Sequence, residues 1–484
     1  MNPSQMLRRA PIALVTIAFC AALSMPAHAD EASLKAEVEA LRAEVAALKA
    51  EVRQIHDERD ASARAPSASA ATSTSATTAS ATAPAAAKPA ASSEPTVAGA
   101  TASVVPNPGT AAAGVPNPGI AVGEGTTLWG YGQIDYNHPT ARPADAQADL
   151  TRAVIGFNHV FNDSTRVYGE LEWEHAVASS SDEGEVEVEQ LYIEHALASN
   201  YGVRAGLMLI PFGFLNEHHE PTQYYGVERN FVEQAIIPTT WREGGVAGYG
   251  TTDSGLSWNV GLVTGPDLGK WDPTADEGRG SPLGSIHQEL QLAHAHDLSI
   301  YGAVNWNGTP GVNVGGGVFT GKIGQATSRQ SDGDPNFPAD DARMTLVEVH
   351  ARWQPGPFDI TTLYSRGAIS DTQALNLQFL GQPTAVPKAF WGGYVQGAWH
   401  ALAWGESSLA PFVRYELFNT GASYASQPTG FDTAPLPTQR VWTLGANYYL
   451  TPNVVFKVDY QDFKYDDVVL GYGNRFDLGI GYQF

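Results

Sequence analysis

The chain has 484 residues, a net charge of −23 and a single cysteine, Cys20. That acidity disfavours a nucleic-acid partner, and one cysteine supplies neither a disulfide framework nor a thiolate metal site. No run approaches the roughly eighteen apolar residues of a membrane-spanning helix, which excludes a helical span.

Residues 1–29 read as a secretory signal peptide. Arg8 and Arg9 supply the positive start, Ile12 to Leu23 the short apolar core, and Ala27-His28-Ala29 the small-residue cleavage site. The mature chain is therefore expected to begin at Asp30. Cys20 sits inside the apolar core behind Phe19, without the small-residue context of a lipoprotein acylation site. An exported chain without a helical span can still enter a membrane as a closed barrel.

Residues 30–60 predict an α-helical coiled coil. Leu34, Val38, Leu41, Val45, Leu48, Val52 and Ile55 recur in steps of four and three, with valine at a and leucine or isoleucine at d. In a parallel oligomer Glu37 would face Arg42 of a neighbour, and Glu44 would face Lys49. The heptads by themselves leave dimer and trimer open. Residues 61–125 are Ala, Ser, Thr, Pro and Gly, with Val-Pro-Asn-Pro-Gly at both 105–109 and 115–119. Such a composition buries no core and reads as a flexible linker.

From residue 126 to 484 short alternating runs take over. In Arg166–Glu174 the polar face carries Arg166, Tyr168, Glu170, Glu172 and Glu174, opposite Val167, Leu171 and Trp173. Short turns are expected near 162–163, 199–200, 252–254, 296–297, 355–357, 405–407 and 451–453. Long loops are expected at 137–150, 178–185, 212–243, 265–285, 308–342, 369–388, 420–438 and 466–473. Seven turns alternating with eight loops predict sixteen strands, with Val312 to Ile323 assigned to a hairpin inside the fifth loop. In the final strand Phe476, Leu478, Ile480, Tyr482 and Phe484 share one face, while Arg475, Asp477 and Gln483 share the other. A strand that is oily outside, polar inside and closed by an aromatic suits a lipid-facing barrel wall. The expected fold is thus all-β: a 16-stranded antiparallel transmembrane β-barrel behind an N-terminal coiled coil. A ring that wide leaves an aqueous lumen.

The segment Arg204-Ala-Gly-Leu-Met-Leu-Ile-Pro-Phe-Gly213, with Trp241-Arg-Glu-Gly-Gly-Val246 downstream, resembles the phosphate-selective porin O and P family. The coiled coil and linker ahead of the barrel look like the DcaP-like trimeric branch of those porins. The resemblance implies a homotrimer in the bacterial outer membrane, with the coiled coil in the periplasm and a third loop folded inward as a constriction. Lysines are the departure. Lys270, Lys322, Lys388, Lys457 and Lys464 follow no single wall, so the lysine ladder associated with phosphate selection is missing.

Candidate pore-lining residues follow from strand phasing. They are Arg152, Arg166, Arg204, Arg352 and Arg414, with the acids Glu170, Glu172, Glu174 and Glu194. Arg152, Arg166 and Arg204 are expected to form a basic side facing an acidic one, a transverse field that filters solutes by charge. The constriction loop contributes Phe214, Glu217, His218, His219, Glu220, Arg229 and Arg242, its aromatics wedged against the wall and its charges projecting into water. The adjacent Glu217-His218-His219-Glu220 is not expected to converge on a metal, and no cofactor is expected. No nucleophile elbow or zinc-protease motif occurs, and no spacing nominates the Ser/His or Asp/His set of a barrel enzyme. The expected function is passive diffusion of ions and small hydrophilic solutes, with small anions such as carboxylates preferred. A general or phosphate-type pore is the alternative within that class; a barrel enzyme or adhesin is the alternative outside it.

Overall fold

The computed structural model describes residues 119–182, 184–325, 337–400, 402–467 and 469–484. The predicted signal peptide and coiled coil, and the linker up to residue 118, lie outside these residues. Eighteen strand segments follow in chain order. They begin with β1 (Ile120–Gly123), β2 (Thr126–Pro139), β3 (Gln147–Asn162), β4 (Thr165–Glu174), β5 (Val186–Ala198) and β6 (Tyr201–Leu209). They continue with β7 (Arg242–Thr251), β8 (Leu256–Val263), β9 (Ser299–Trp306), β10 (Val312–Lys322), β11 (Arg343–Trp353) and β12 (Phe358–Ile369). The last are β13 (Ala389–Trp399), β14 (Leu402–Trp404), β15 (Ser407–Ser423), β16 (Gln439–Thr451), β17 (Val454–Phe463) and β18 (Arg475–Gln483).

From β2 onward each strand pairs antiparallel with the next, except that β13 pairs with β15, and β18 closes the ring on β2, with Tyr482 opposite Gly132. Because β13 and β14 both pair with β15, they are one interrupted wall strand. The ring therefore has sixteen strands, as expected, but two assignments behind that number were misplaced. Val312–Lys322 is a full wall strand, paired with β9 on one side and β11 on the other. His296–Asp297 is no tight turn; it falls inside a loop spanning 264–298. The glycines Gly315, Gly316 and Gly317 hide the β signal in β10, while His294-Ala-His-Asp297 imitates a turn. The linker also ends earlier than expected, because β1 pairs with β2 from Ile120 opposite Leu128. With β3 on the other edge of β2, β1 extends the ladder just beyond Phe484, whose N–H and carbonyl both bond Gly130.

Period-two alternation is complete in β12. Phe358, Ile360 and Tyr364 face outward, whereas Asp359, Thr361 and Ser365 are buried inward. Around the ring the usual polarity of a protein is inverted. Ile155, Ile193, Val246, Val260, Ile300, Val349, Val395 and Leu444 are each 47–66% exposed. Arg152, Glu172, Glu194, Glu348, Arg414 and Asp459 are buried inside. Exposed aromatics mark both rims: Trp306, Trp353, Phe358, Trp399 and Trp404 at the turn end, and Tyr136, Trp173, Trp442 and Phe476 at the loop end. Water would penalise so continuous an apolar belt, and a bilayer stabilises it, with the aromatics at headgroup depth. No helix among the described residues is long and apolar enough to cross a membrane.

The lumen is not empty. The loop between β6 and β7, residues 210–241, folds into the barrel and seats on glycines that have no side chain to obstruct it. A Cβ on Gly317 would meet Phe212, on Gly392 Val232 and Ile236, on Gly479 Val227, and on Gly481 Pro221. Towards the loop end Phe212, Trp241, Phe319, Trp271 and Ile286 join one buried apolar cluster.

Candidate pore constriction and its charged wall

Loop 210–241 is tied at its neck by Asn216. Its Nδ2 donates to the carbonyls of Ile210 (2.7 Å) and Trp241 (2.8 Å), while its Oδ1 accepts from Trp241 N–H (2.7 Å). The Pro-Phe-Gly motif acquires a physical role here. Phe212 packs edge-on to Trp241 at 5.8 Å, and Gly213 turns the chain at φ +69, where a Cβ would collide with the Glu233 carboxylate. Glu233 is the keystone. It accepts from Phe214 N–H (2.6 Å), Leu215 N–H (2.8 Å), Asn230 Nδ2 (2.7 Å) and Tyr394 OH (2.9 Å).

The far end of the loop is held by polar side chains of the opposite wall. Asp459 accepts from Val227 N–H at 2.6 Å, Glu416 from Phe231 N–H at 2.8 Å, and Asp359 from the Tyr225 hydroxyl at 3.0 Å. Asn447 bonds on both sides, accepting from Gly226 N–H and donating to the Tyr224 carbonyl. Sequence phasing singled out neither Asp359 nor Asn447, and it gave Glu233, Glu416 and Asp459 no partner. Alternation does place the wall members inside, but nothing in the chain says that a loop 134 or more residues away will supply their donors.

The loop's aromatics wedge as expected, with Phe231 stacked on Phe418 at 5.6 Å and Tyr225 on Phe412 at 5.9 Å. Its charges do not, on the whole, project into water. Glu217 is exposed, but His219, Glu220 and Arg229 are buried against the wall. That wall is itself polar, so it solvates charges that an apolar wall would reject. Burial pushes the Glu220 carboxyl up, and burial followed by the neighbouring Arg152 pulls the Arg229 guanidinium down. Burial opposes charging of His219, yet Glu189 and Glu170 outweigh it and push the imidazole up to about 10. His218 is half-buried beside it, and Phe214 packs at 4.6 Å on His350. Arg242 is not a loop residue. It opens β7 and reaches Glu187, and Glu289 at 2.8 Å.

The expected basic side is broken up by acids on β4 and β5. Glu194 bridges Arg166 and Arg204, at 2.8 Å to each. Arg204 also lies over the rings of Tyr192 and Tyr249, at 5.4 and 4.7 Å. Arg152 stands apart, donating to Gln133 (3.2 Å) and to the His219 carbonyl, with Tyr131 beneath it. Glu170 and Glu172 are buried on β4 next to these arginines, and Glu174 lies in register with Arg152. The two signs are interleaved, not opposed across the lumen. Three donors also converge there: carboxylate oxygens of Glu170 and Glu189 and a ring nitrogen of His219 lie within 4.8 Å of one another.

Arg352 and Arg414 meet elsewhere. Arg352 forms a bidentate pair with Asp359 (2.8 and 2.5 Å), and Arg414 bonds Glu416 at 2.7 Å and the Tyr225 carbonyl at 3.0 Å. Both line an opening together with Phe214, Gln223, Tyr225, Tyr394 and Gln396, and no carboxylate among the described residues lines it. Of the lysines, Lys457 is buried 3.4 Å from the centre of the Tyr224 ring.

No family model matches the sequence, so the likeness to phosphate-selective porins rests on the motifs quoted above. An uncharacterized protein of Aquifex aeolicus (strain VF5) is 29% identical over 358 residues, covering 71% of this chain and 77% of that protein. Among solved structures, Salmonella typhi OmpF, determined in complex with daunomycin, gives a TM-score of 0.51. Its identity is 16%, over 74% of this chain and 97% of that one. The outer membrane channel DcaP of Acinetobacter baumannii gives 0.47 at 14% identity, over 76% and 99% of the two chains. The similarity to OmpF establishes a shared barrel fold.

Proposed function

We propose that this chain is an outer-membrane porin that lets small hydrophilic solutes diffuse passively down their gradients. The inverted polarity of the closed ring carries this reading: an apolar belt with aromatic rims outside, ionised and amide side chains inside. Loop 210–241 is its constriction, and both described chain ends lie at the turn end, the periplasmic side in this reading. Self-association is supported by the heptads at 30–60, and a homotrimer by the family resemblance.

Within this reading small anions, carboxylates among them, are the preferred solutes. The specific support is the opening beside the constriction, which Arg352 and Arg414 line without a carboxylate. A phosphate-type pore is the weaker version, since Lys457 is covered by Tyr224 and no lysine ladder faces the opening. Planar-bilayer recording tests both levels. A channel gives stepwise conductance, in triplets for a trimer, whereas a plugged barrel enzyme or adhesin gives none. In a potassium chloride gradient the reversal potential should take the anion-selective sign and move towards zero in Arg352→Gln/Arg414→Gln. A cation-selective reversal potential that ignores the double substitution removes the anion preference.

A further inference from the structure

A second cluster of ionisable groups in the lumen has no part in the passage beside Arg352 and Arg414. His219 Nε2, from the constriction loop, lies 3.5 Å from Glu189 Oε2 and 3.8 Å from Glu170 Oε1 on the wall. The three side chains are 3%, 0% and 2% exposed, respectively. The ring is oriented from behind: Nδ1 is 3.0 Å from the Asn216 carbonyl, which can only accept, so Nδ1 carries the hydrogen. In the neutral ring Nε2 then aims a lone pair at two carboxylates. Nε2 makes no hydrogen bond, and neither do Glu189 Oε1 or Glu172 Oε1. Electron-rich atoms converging in a buried space require a positive charge between them, met either by a proton on Nε2 or by a metal ion in its place.

We propose that His219, Glu170 and Glu189 bind a divalent cation, zinc by chemistry, that clips the constriction loop to β4 and β5. Zinc takes mixed imidazole and carboxylate donors at about 2.0–2.2 Å, which sets neighbouring donors of a tetrahedron about 3.3–3.6 Å apart. The observed 3.5 and 3.8 Å close on that spacing with a small side-chain movement. Calcium and magnesium prefer all-oxygen sets, so the imidazole selects against them. Outer partners are in place. The Tyr131 hydroxyl lies 3.0 Å from Glu170 Oε1 and 3.3 Å from Glu189 Oε2, and Gln190 donates to the other Glu170 oxygen at 2.6 Å. There is also a way in. Glu189 shares a second 4.8 Å group with Glu172 and Glu187, and the Glu187 side chain is 23% exposed, so carboxylates lead from water to the site.

This site requires the loop to be seated in the barrel but does not require conduction, so its test stands apart from the bilayer recordings. Full-length protein in detergent, stripped with EDTA, is titrated with zinc chloride by calorimetry, and folding is checked by heat-modifiable migration. One zinc per chain is expected. His219→Ala and Glu170→Gln should each weaken binding by about tenfold or more, and zinc should raise the unfolding temperature of the wild type alone. His294→Ala, which alters a histidine paired with Asp267 outside the cluster, should bind as the wild type does. If His219→Ala does not fold, Glu170→Gln supplies the same readout. Absence of zinc binding, or binding that both substitutions leave intact, overturns the site and leaves a protonated His219 bridging the two glutamates.

Discussion

Replacing Glu233 with alanine should unseat the constriction while leaving the barrel folded. The carboxylate receives four donors, Phe214 N–H, Leu215 N–H, Asn230 Nδ2 and Tyr394 OH, at 2.6–2.9 Å. A buried donor left without an acceptor costs about 1–3 kcal/mol, so four donors give about 4–12 kcal/mol before the loop relaxes. Water admitted by the missing side chain brings the cost to the lower end. At about 1.4 kcal/mol per factor of ten, 4 kcal/mol multiplies the unseated population roughly a thousandfold. Single-channel recording should show a larger, noisier conductance, and limited proteolysis should find new cleavage within 210–241. Heat-modifiable migration should still report a closed barrel, because the strand ladders are untouched. Gly213→Ala attacks the same joint from the other side, since its φ is +69 and its Cβ would displace the Glu233 carboxylate. Conductance and protease resistance both unchanged in Glu233→Ala would refute the keystone role.

Two further outcomes follow from the wall. Glu194→Gln removes the carboxylate shared by Arg166 and Arg204 and leaves buried charge unpaired, a loss of about 3–5 kcal/mol. The midpoint of thermal unfolding in detergent should drop accordingly. Leu478→Arg places a cation on the outward face of β18, where about 2–4 kcal/mol is lost at mid-bilayer depth. Folding yield into lipid vesicles should fall for it and stay unchanged for Thr362→Ser, a conservative change on the outward face of β12.

Much of the barrel was legible because a strand's faces alternate with a period that side-chain chemistry records directly. β18 and β4 present the faces their sequences predict, and the third loop enters the lumen as the family resemblance implied. The misassigned pair, β10 and the stretch before His296, shows where that record fails. Three successive glycines in β10 carry no polarity signal, and the role of one of them, Gly317, in admitting Phe212 appears only once the loop is in place. Strand phasing turns Arg152, Arg166, Arg204, Arg352 and Arg414 inward, but that Glu194 bridges Arg166 and Arg204 and that Asp359 takes Arg352 was not legible in it. Alternation tells which way a side chain points, not what meets it there.

By itself, then, the sequence determined the inverted polarity and which strand faces turn inward, because these are periodic, local properties. Only the tertiary structure decided how the arginines are neutralised, that Glu233 and Asp459 hold the constriction, and that His219 comes to rest between Glu170 and Glu189. Those outcomes depend on ring closure and on where a 32-residue loop comes to lie, and contacts between residues tens to hundreds of positions apart leave no trace in a local pattern.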